Sequence, residues 1–241
     1  MKLPFVKMHG LGNDYVYIDC FPKDTAKLIA RAELSVLAQR VSDRHFGIGS
    51  DGLVLIMPSK VANVRMRMFN ADGSEAEMCG NAARCVAKYA YEHGLCGNPM
   101  TLETLAGIKH ITLQTQKNRV TSVTVEMGTS MGNPHKVIIT EEPVAALSLY
   151  GIEGTNVEWI NVLNRREIAM RVWERGTGET MACGTGACAA VMAAIEQGLT
   201  DNEVTVHLRG GDLLVRRDQQ GTIFMTGPAT EVFRGTYNWE D

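Results

Sequence analysis

The chain has few features that would set it apart from ordinary globular proteins. It has 241 residues, no apolar run near the roughly 18 residues of a membrane-spanning helix, and no apolar core of a signal peptide at its start. Its net charge of −3 gives no electrostatic reason to expect binding to nucleic acid or to an anionic membrane. We therefore expect a cytoplasmic protein, with neither nucleic acid nor membrane among its partners.

Cysteine is too sparse for a disulfide scaffold, since the chain contains only six. In a reducing compartment such cysteines are catalytic, metal-binding or part of the core. Two of them occupy equivalent places in an internal repeat, because residues 66–95 and 170–199 align without a gap and match at ten of thirty positions. The matched residues include Cys79 with Cys183 and the glycine that follows each.

A repeat of this length predicts two related halves. We place the half that carries Cys79 at residues 1–118 and the half that carries Cys183 at residues 119–241, with the C-terminal strand free to return to the first half. Strand patterns dominate both halves, and helices are predicted at 25–42, 80–93 and 184–197. Each half is therefore predicted to consist of several strands around one buried helix.

The two cysteines each precede a predicted helix, close to its N-cap. Free N–H groups and the positive end of the helix dipole gather there, which predicts a lowered thiol pKa and a site for an anion. A substrate carboxylate would receive N–H groups from the first residues of both helices, namely Gly80, Asn81, Gly184 and Thr185.

Two thiols beside one carboxylate suit proton transfer at the neighbouring carbon. One thiolate removes the proton while the other thiol delivers a proton to the opposite face, and the N–H groups stabilise the carbanion charge as it spreads into the carboxylate. The result is inversion of the stereocentre. This chemistry needs neither a metal nor a pyridoxal cofactor.

Three other interpretations of the cysteines compete: core residues, zinc ligands and a redox disulfide. Duplication beside matched glycines argues against simple core residues. The spacing to the next cysteine along each helix is wider than in common zinc sites, and the helix turns that cysteine away. We expect four cysteines to be structural: Cys20, Cys85, Cys96 and Cys188.

Six segments resemble the diaminopimelate epimerase family, in the family's order: residues 9–19, 44–53, 69–85, 131–135, 155–159 and 174–190. The resemblance implies an α+β fold of two pseudosymmetric halves, each a β-barrel-like sheet wrapped around a central helix. It also implies conversion of LL-2,6-diaminopimelate to the meso isomer without a cofactor, in lysine and peptidoglycan precursor synthesis.

The resemblance further assigns roles to individual residues. It implies that Cys79 and Cys183 are the acid/base pair, with Cys183 as proton acceptor and Cys79 as donor in the LL to meso direction. It implies that His135 and Glu174 tune the pKa of the thiols. The implied substrate contacts are Asn13, Asn70, Gly80, Asn81, Asn133, Asn156, Glu174, Arg175, Gly184 and Thr185.

Two rival functions remain open from the sequence. One is a cysteine-pair racemase of proline or hydroxyproline, although the polar residues Asn70, Asn156 and Arg175 favour a substrate with a charged distal end. The other is a non-catalytic or redox two-thiol protein of the same fold. The family often forms dimers, and we expect a homodimer with its interface on the C-terminal strand, around Phe233.

The chain departs from the family in three places. It has Gly52 where many members carry a side-chain amide, and it is shorter near residues 128–131 and 151–155. Either the loops are trimmed or loop residues are missing from the sequence. The second explanation, which we favour, predicts that the Cα–Cα distance exceeds that of a trans peptide in both stretches.

Overall fold

Sixteen strands and four α-helices account for most of residues 2–129 and 134–239, the residues that this computed structural model describes. The chain divides into two units. Unit 1 comprises Met1–Val123 and Pro228–Asp241, and unit 2 comprises Thr124–Gly227.

The elements of unit 1 follow one another from the first described residue and end with a strand from the C-terminus. They are β1 (Lys2–Gly10), β2 (Asn13–Asp19), α1 (Lys23–Ile29), α2 (Leu34–Ser42), β3 (Gly52–Met57), β4 (Val64–Asn70), β5 (Glu75–Ala76), α3 (Gly80–Glu92), β6 (Met100–Thr104), β7 (Gly107–Gln116) and β16 (Thr230–Asn238). The strand β8 (Arg119–Gly128) contains the boundary between the units.

The elements of unit 2 repeat this pattern with one central helix. They are β9 (His135–Ile139), a 3₁₀ turn (Val144–Ala146), β10 (Asn156–Asn164), β11 (Glu167–Glu174), β12 (Gly178–Thr180), α4 (Gly184–Glu196), β13 (Glu203–Leu208), β14 (Gly211–Arg217) and β15 (Ile223–Gly227).

The strand pairings of the two units follow the same sequence of directions. In unit 1 the order is β16-β1-β2-β3-β4-β6-β7, in which β2 and β3 are parallel, β3 and β4 antiparallel, β4 and β6 parallel, and β6 and β7 antiparallel. In unit 2 the series β9-β10-β11-β13-β14 alternates identically, and β14 continues to β15. The expected α+β fold of two related halves is confirmed.

An arginine and a glutamate that match in the repeat form the same pair of hydrogen bonds in both units. Arg67 and Glu75 join β4 to β5 through two hydrogen bonds of 2.7 and 3.0 Å. Arg171 and Glu179 join β11 to β12 in the same way, at 2.8 and 2.9 Å. Such bidentate pairs hold the connection that leads into each central helix in one geometry.

The central helices end alike as well. Gly94 and Gly198 have positive φ angles of 68° and 70°, which a glycine adopts without strain. The residue after each glycine donates its N–H to a carbonyl five residues earlier, at 2.8 Å for Leu95 and 2.9 Å for Leu199. The central helix therefore ends in the same way in each half, at a glycine with positive φ.

The helix predicted at 25–42 is wrong as a single element, because it is interrupted between Ile29 and Leu34. The intervening Ala30–Arg–Ala–Glu33 has good helix propensity, so tertiary packing decides the break. The break lets both short helices bury apolar side chains against one core cluster, with Ile29 contributed by α1 and Leu37 by α2.

The shortened stretch at 151–155 is a tight turn. Ile152 and Thr155 pair in an isolated bridge, and the N–H of Thr155 donates to the carbonyl of Ile152 at 3.2 Å. The long Cα–Cα distance expected in this stretch stays a prediction. Part of the other stretch, 128–131, lies outside the described residues.

The core of unit 1 makes the contribution of α2 testable. Leu37 is fully buried, so Leu37→Ala removes buried methyl groups and leaves a cavity. We expect a loss of about 2–5 kcal/mol in the free energy of unfolding, measured by urea denaturation. Leu34→Ala on the same helix is the control, because Leu34 is only half-buried and should cost clearly less. Equal losses for both variants would contradict this packing.

Candidate active site

Cys79 lies at the N-cap of α3, immediately before Gly80, with extended backbone angles of φ −133° and ψ 123°. Its side chain is half-buried. The thiol donates a hydrogen bond to Oδ1 of Asn13, at the start of β2, over 3.4 Å. The thiol of Cys79 therefore faces a hydrogen-bond acceptor.

A chain of side-chain amides runs behind this thiol. Nδ2 of Asn81 also donates to Oδ1 of Asn13, at 3.3 Å, and Nδ2 of Asn13 donates to Oδ2 of Asp51 at 2.8 Å. At the other end, Arg84 donates to Oδ1 of Asn81 at 2.8 Å. The structure thus brings together three predicted site residues, Cys79, Asn13 and Asn81.

A charge cluster supports Asp51 in turn. Arg44 donates to Asp51 at 2.8 Å and to Asp14 at 2.9 Å, and Lys7 pairs with Asp14. Burial raises the pKa of Asp51, and the charge of Asp14 raises it further. Burial alone would also raise the pKa of Asp14, but hydrogen bonds from Arg44 and Lys7 bring it below its ordinary value.

Asn70 lies at the end of β4, and its Nδ2 donates to Oγ of Ser74 at 2.9 Å. This contact closes the turn before β5. Gly52, the position that departs from the family, has no room for a side chain, because a Cβ atom there would lie 2.1 Å from the carbonyl oxygen of Phe69.

Cys183 has the equivalent place in unit 2, at the N-cap of α4 before Gly184, with φ −120° and ψ 114°. It is 6% exposed. The N–H of Gly186 donates to its sulfur at 3.4 Å, and the hydroxyl of Thr185 lies 3.5 Å from the sulfur. The sulfur of Cys183 therefore faces a backbone donor.

The expected lowering of the thiol pKa is wrong for Cys183. Burial raises its pKa well above the usual value and the negative charge of Glu174 raises it further, while the hydrogen bonds with Thr185 and Gly186 lower it. Burial dominates because the thiolate loses the solvation of water. Once formed, such a thiolate is a stronger base than an exposed one.

Polar residues gather at the ends of the strands beside Cys183. Glu174 ends β11 and accepts a hydrogen bond from Thr180 at 2.6 Å. Asn156 begins β10, is 4% exposed, and accepts at its Oδ1 from the N–H of Arg175 at 3.0 Å. The side chain of Arg175 is exposed.

His135 and Glu158 form a buried pair on neighbouring strands. Nδ1 of His135 lies 2.7 Å from Oε1 of Glu158, which is fully buried. A Cβ atom on Gly186 would lie 2.6 Å from the same Oε1, so the first turn of α4 packs directly on this carboxyl group. Among the described residues, Nε2 of His135 and Oε2 of Glu158 have no hydrogen-bond partner.

Sequence reasoning assigned no role to three buried or half-buried charged residues of these sites. All three lie in segments that resemble the family: Asp51, Glu158 and Arg84, the last of which is in the first turns of α3. A charged residue inside an otherwise apolar run was the available signal for Arg84. Asn133, a predicted substrate contact, lies outside the described residues.

The described part of the chain lacks two kinds of feature, a metal-binding cluster and a membrane-spanning helix. Residues 2–129 and 134–239 contain no group of three or more His, Cys, Asp or Glu side chains arranged to hold a metal ion. Within those same ranges, no helix is both long and apolar enough to cross a membrane.

The fold defines a class of proteins with known structures. The chain is similar to a phenazine biosynthesis protein of the PhzF family from Bacillus anthracis, with a TM-score of 0.71, 16% identity, and coverage of 99% of this chain and 100% of that chain. It is also similar to a probable proline racemase from Agrobacterium radiobacter, with a TM-score of 0.71, 13% identity, and coverage of 99% and 93%.

Sequence comparison narrows the class to one family. The family model for diaminopimelate epimerase matches twice, at residues 5–131 and 129–232. The diaminopimelate epimerase of Agathobacter rectalis is 46% identical, with 97% of this chain and 98% of that protein covered, and that of Pelotomaculum thermopropionicum is 44% identical with the same coverage. The chain belongs to the diaminopimelate epimerase family.

The first of these alignments spans 287 positions, whereas the chain has 241 residues. The relative therefore carries insertions that this chain lacks.

The charge of Glu174 gives a test of the Cys183 environment. Glu174→Gln removes a negative charge that disfavours the thiolate, so alkylation of Cys183 by iodoacetamide should begin at lower pH than in the wild type. Peptide mass spectrometry across neutral to alkaline pH measures this. Glu203→Gln, at an exposed position of unit 2, should leave the profile unchanged. An unchanged or raised midpoint in Glu174→Gln would contradict the electrostatic coupling.

Proposed function

We propose that this protein converts LL-2,6-diaminopimelate to the meso isomer, without a cofactor, in the synthesis of lysine and peptidoglycan precursors. One observation carries the proposal: a member of the diaminopimelate epimerase family presents a cysteine at the N-cap of the central helix in each half, Cys79 and Cys183. Two thiols in equivalent positions suit a reaction that needs one acid and one base.

In the proposed mechanism Cys183 is the base and Cys79 the acid in the LL to meso direction. The thiolate of Cys183 takes the α-proton, so the C–H bond breaks and its electron pair spreads into the adjacent carboxylate. The thiol of Cys79 then gives its proton to the opposite face of the carbon, and a new C–H bond forms. Proton exchange with solvent returns both sulfurs to their starting states.

Backbone N–H groups at the helix starts stabilise the charge that develops on the carboxylate. Gly80 and Asn81 begin α3, and Gly184 and Thr185 begin α4, where the first N–H groups of a helix have no partner within the helix. Preorganised donors of this kind stabilise a transition state more than water does, because they need no reorganisation.

The remaining proposed contacts recognise the charged groups of the substrate. Arg175 binds a carboxylate and Glu174 an ammonium group, and the asparagine amides serve either. Burial raises the pKa of Cys183 most, and the charge of Glu174 raises it further. This supports a tuning role for the Glu174 carboxylate, and we propose the same role for His135. The asparagines of this set are Asn13, Asn70, Asn133 and Asn156.

The test is proton exchange during turnover in D2O. The wild type should form meso-diaminopimelate with loss of the α-proton signal by NMR, whereas Cys79→Ser and Cys183→Ser should lose epimerisation by roughly a hundredfold or more, since each removes one proton-transfer group. Cys96→Ser is the matched control, because this half-buried thiol lies outside the proposed site.

Two results would overturn parts of the proposal. Absence of exchange in the wild type would remove the epimerase, and full activity in either serine variant would remove the two-thiol mechanism. Proline, offered under the same conditions, should not exchange its α-proton; rapid exchange with proline would favour the rival racemase.

We also propose a homodimer that forms through β16. This strand is at the edge of the sheet of unit 1 and pairs only with β1 among the described strands. Its side chains Val232 and Phe233 are 54% and 46% exposed, and Phe233 packs edge-on against Phe5 with ring centroids 5.8 Å apart. An exposed edge strand with apolar side chains favours pairing with another chain.

Sedimentation equilibrium tests this interface. The wild type should be dimeric, and Phe233→Glu should be monomeric because it would place charges in the interface. Leu214→Glu, on a strand of unit 2 with a comparable exposure of 38%, should remain dimeric. A monomeric wild type, or a dimeric Phe233→Glu variant, would contradict the proposal.

The division of the chain near residue 118 and the cytoplasmic location also stay proposals. A boundary between units within β8, with the C-terminal strand in unit 1, supports the division. All six cysteines are free, and catalytic thiols need a reducing compartment to remain so, which supports the cytoplasm.

A further inference from the structure

The amide chain behind Cys79 has a fixed direction because its two ends are chemically opposite. Arg84 is fully buried and its guanidinium only donates, so the atom of Asn81 that faces it must be the oxygen. The Nδ2 of Asn81 is therefore turned towards Asn13. Because Nδ2 of Asn81 is a donor, the atom of Asn13 that faces it must be the oxygen, Oδ1.

The other end of the chain imposes the same orientation independently. Among the described residues, the Asp51 carboxyl group acts only as a hydrogen-bond acceptor. Its Oδ1 accepts from Arg44 at 2.8 Å, and its Oδ2 accepts from Nδ2 of Asn13 at 2.8 Å and from the N–H of Asp14 at 3.0 Å. The NH2 group of Asn13 must face such an acceptor. Its Oδ1 is then left on the side of Asn81 and Cys79.

The orientation of Asn13 decides what the sulfur of Cys79 meets. With Oδ1 on this side, the S–H group of Cys79 has an acceptor at 3.4 Å, which stabilises the protonated thiol. A rotation of the amide by half a turn would place an NH2 group there instead and would stabilise the thiolate. An amide held at both ends resists that rotation.

We infer that Asp51 is a positioning residue which, together with Arg84, fixes the amide of Asn13 so that its oxygen holds Cys79 as a proton-donating thiol. The inference rests on the proposed function, in which Cys79 is the acid of the LL to meso reaction. In this inference Asp51 acts on Cys79 through Asn13, to which it is hydrogen-bonded.

Two neighbouring titratable groups, Tyr17 and Cys85, do not ionise near neutral pH and so do not affect the ionisation of Cys79 there. Tyr17 on β2 and Cys85 on α3 interact with Cys79 electrostatically, and both are fully buried. Burial raises the pKa of Tyr17 well above its usual value and that of Cys85 to about 11. The Asp51 carboxyl group and the Arg84 guanidinium are the charged groups at the two ends of the amide chain.

Two substitutions at Asp51 separate its charge from its role as acceptor. Asp51→Ala and Asp51→Asn remove the same negative charge, but Asn keeps a carbonyl oxygen for the donors of Asn13 and Asp14. The new NH2 group then faces Arg44, whose side chain is 56% exposed and is free to move into water. Only Asp51→Ala therefore removes one of the two contacts that hold the amide of Asn13, which leaves the contact with Asn81 alone to resist rotation.

The readout is the rate of alkylation of Cys79 by iodoacetamide across neutral to alkaline pH, followed by peptide mass spectrometry. We expect Cys79 at neutral pH to react roughly two- to tenfold faster in Asp51→Ala than in Asp51→Asn, since the acceptor that favours the neutral thiol is then held from one end only and is less often in place. Equal rates, or a slower rate in Asp51→Ala, would overturn the inference. No turnover is measured, so failure here is distinct from failure of the epimerase.

Unfolding of the alanine variant would be recognised and would not end the test. Cys20 and Cys85 are buried, and their alkylation would reveal loss of structure. The wild type then decides by the Raman S–H stretching band of Cys79, identified by its absence in Cys79→Ser. A band below the frequency of a free thiol supports the S–H···O contact, and a band at the free-thiol frequency overturns it.

Discussion

Both candidate sites depend on the position of a cysteine at the first step of a central helix. An N-cap residue has extended backbone angles while the next residue is already helical, so its side chain is held beside the free N–H groups of the first turn. Cys79 and Cys183 satisfy this constraint with nearly the same angles, and a glycine follows each. Equivalent strand pairings, arginine–glutamate pairs and helix stops reproduce the position in both halves.

The same backbone position gives the two sulfurs opposite neighbours. Cys79 donates to an amide oxygen, whereas Cys183 accepts from the N–H of Gly186 and is almost entirely buried. An acceptor favours a thiol and a donor favours a thiolate, although burial opposes ionisation of Cys183. This asymmetry agrees in direction with a reaction in which Cys79 gives a proton and Cys183 takes one. The duplicated scaffold thus gives the two sulfurs different surroundings through a few side chains near each of them.

The sequence alone predicts the features that depend on short stretches of chain or on residues repeated in both halves. The central helices, their glycine stops and the two N-cap cysteines follow from residues that match across the repeat. The break between Ile29 and Leu34 does not, because the intervening residues favour a helix and only packing interrupts it. The rise in the pKa of Cys183 depends on burial, and the role of Asp51 depends on which atom of an amide faces it. Neither is encoded in the identity of a neighbour along the chain.

The central claim is that two different groups handle the two protons of the inversion. Deuterium placement in the first turnovers of LL-diaminopimelate in D2O tests it most directly. If two thiols act on opposite faces of the carbon, as we propose, newly formed meso-diaminopimelate should carry deuterium at the inverted carbon, while recovered LL-diaminopimelate should keep its original α-proton. Early deuterium in the recovered substrate at a level comparable to the product would mean that a single group exchanges with both faces, and it would contradict the account.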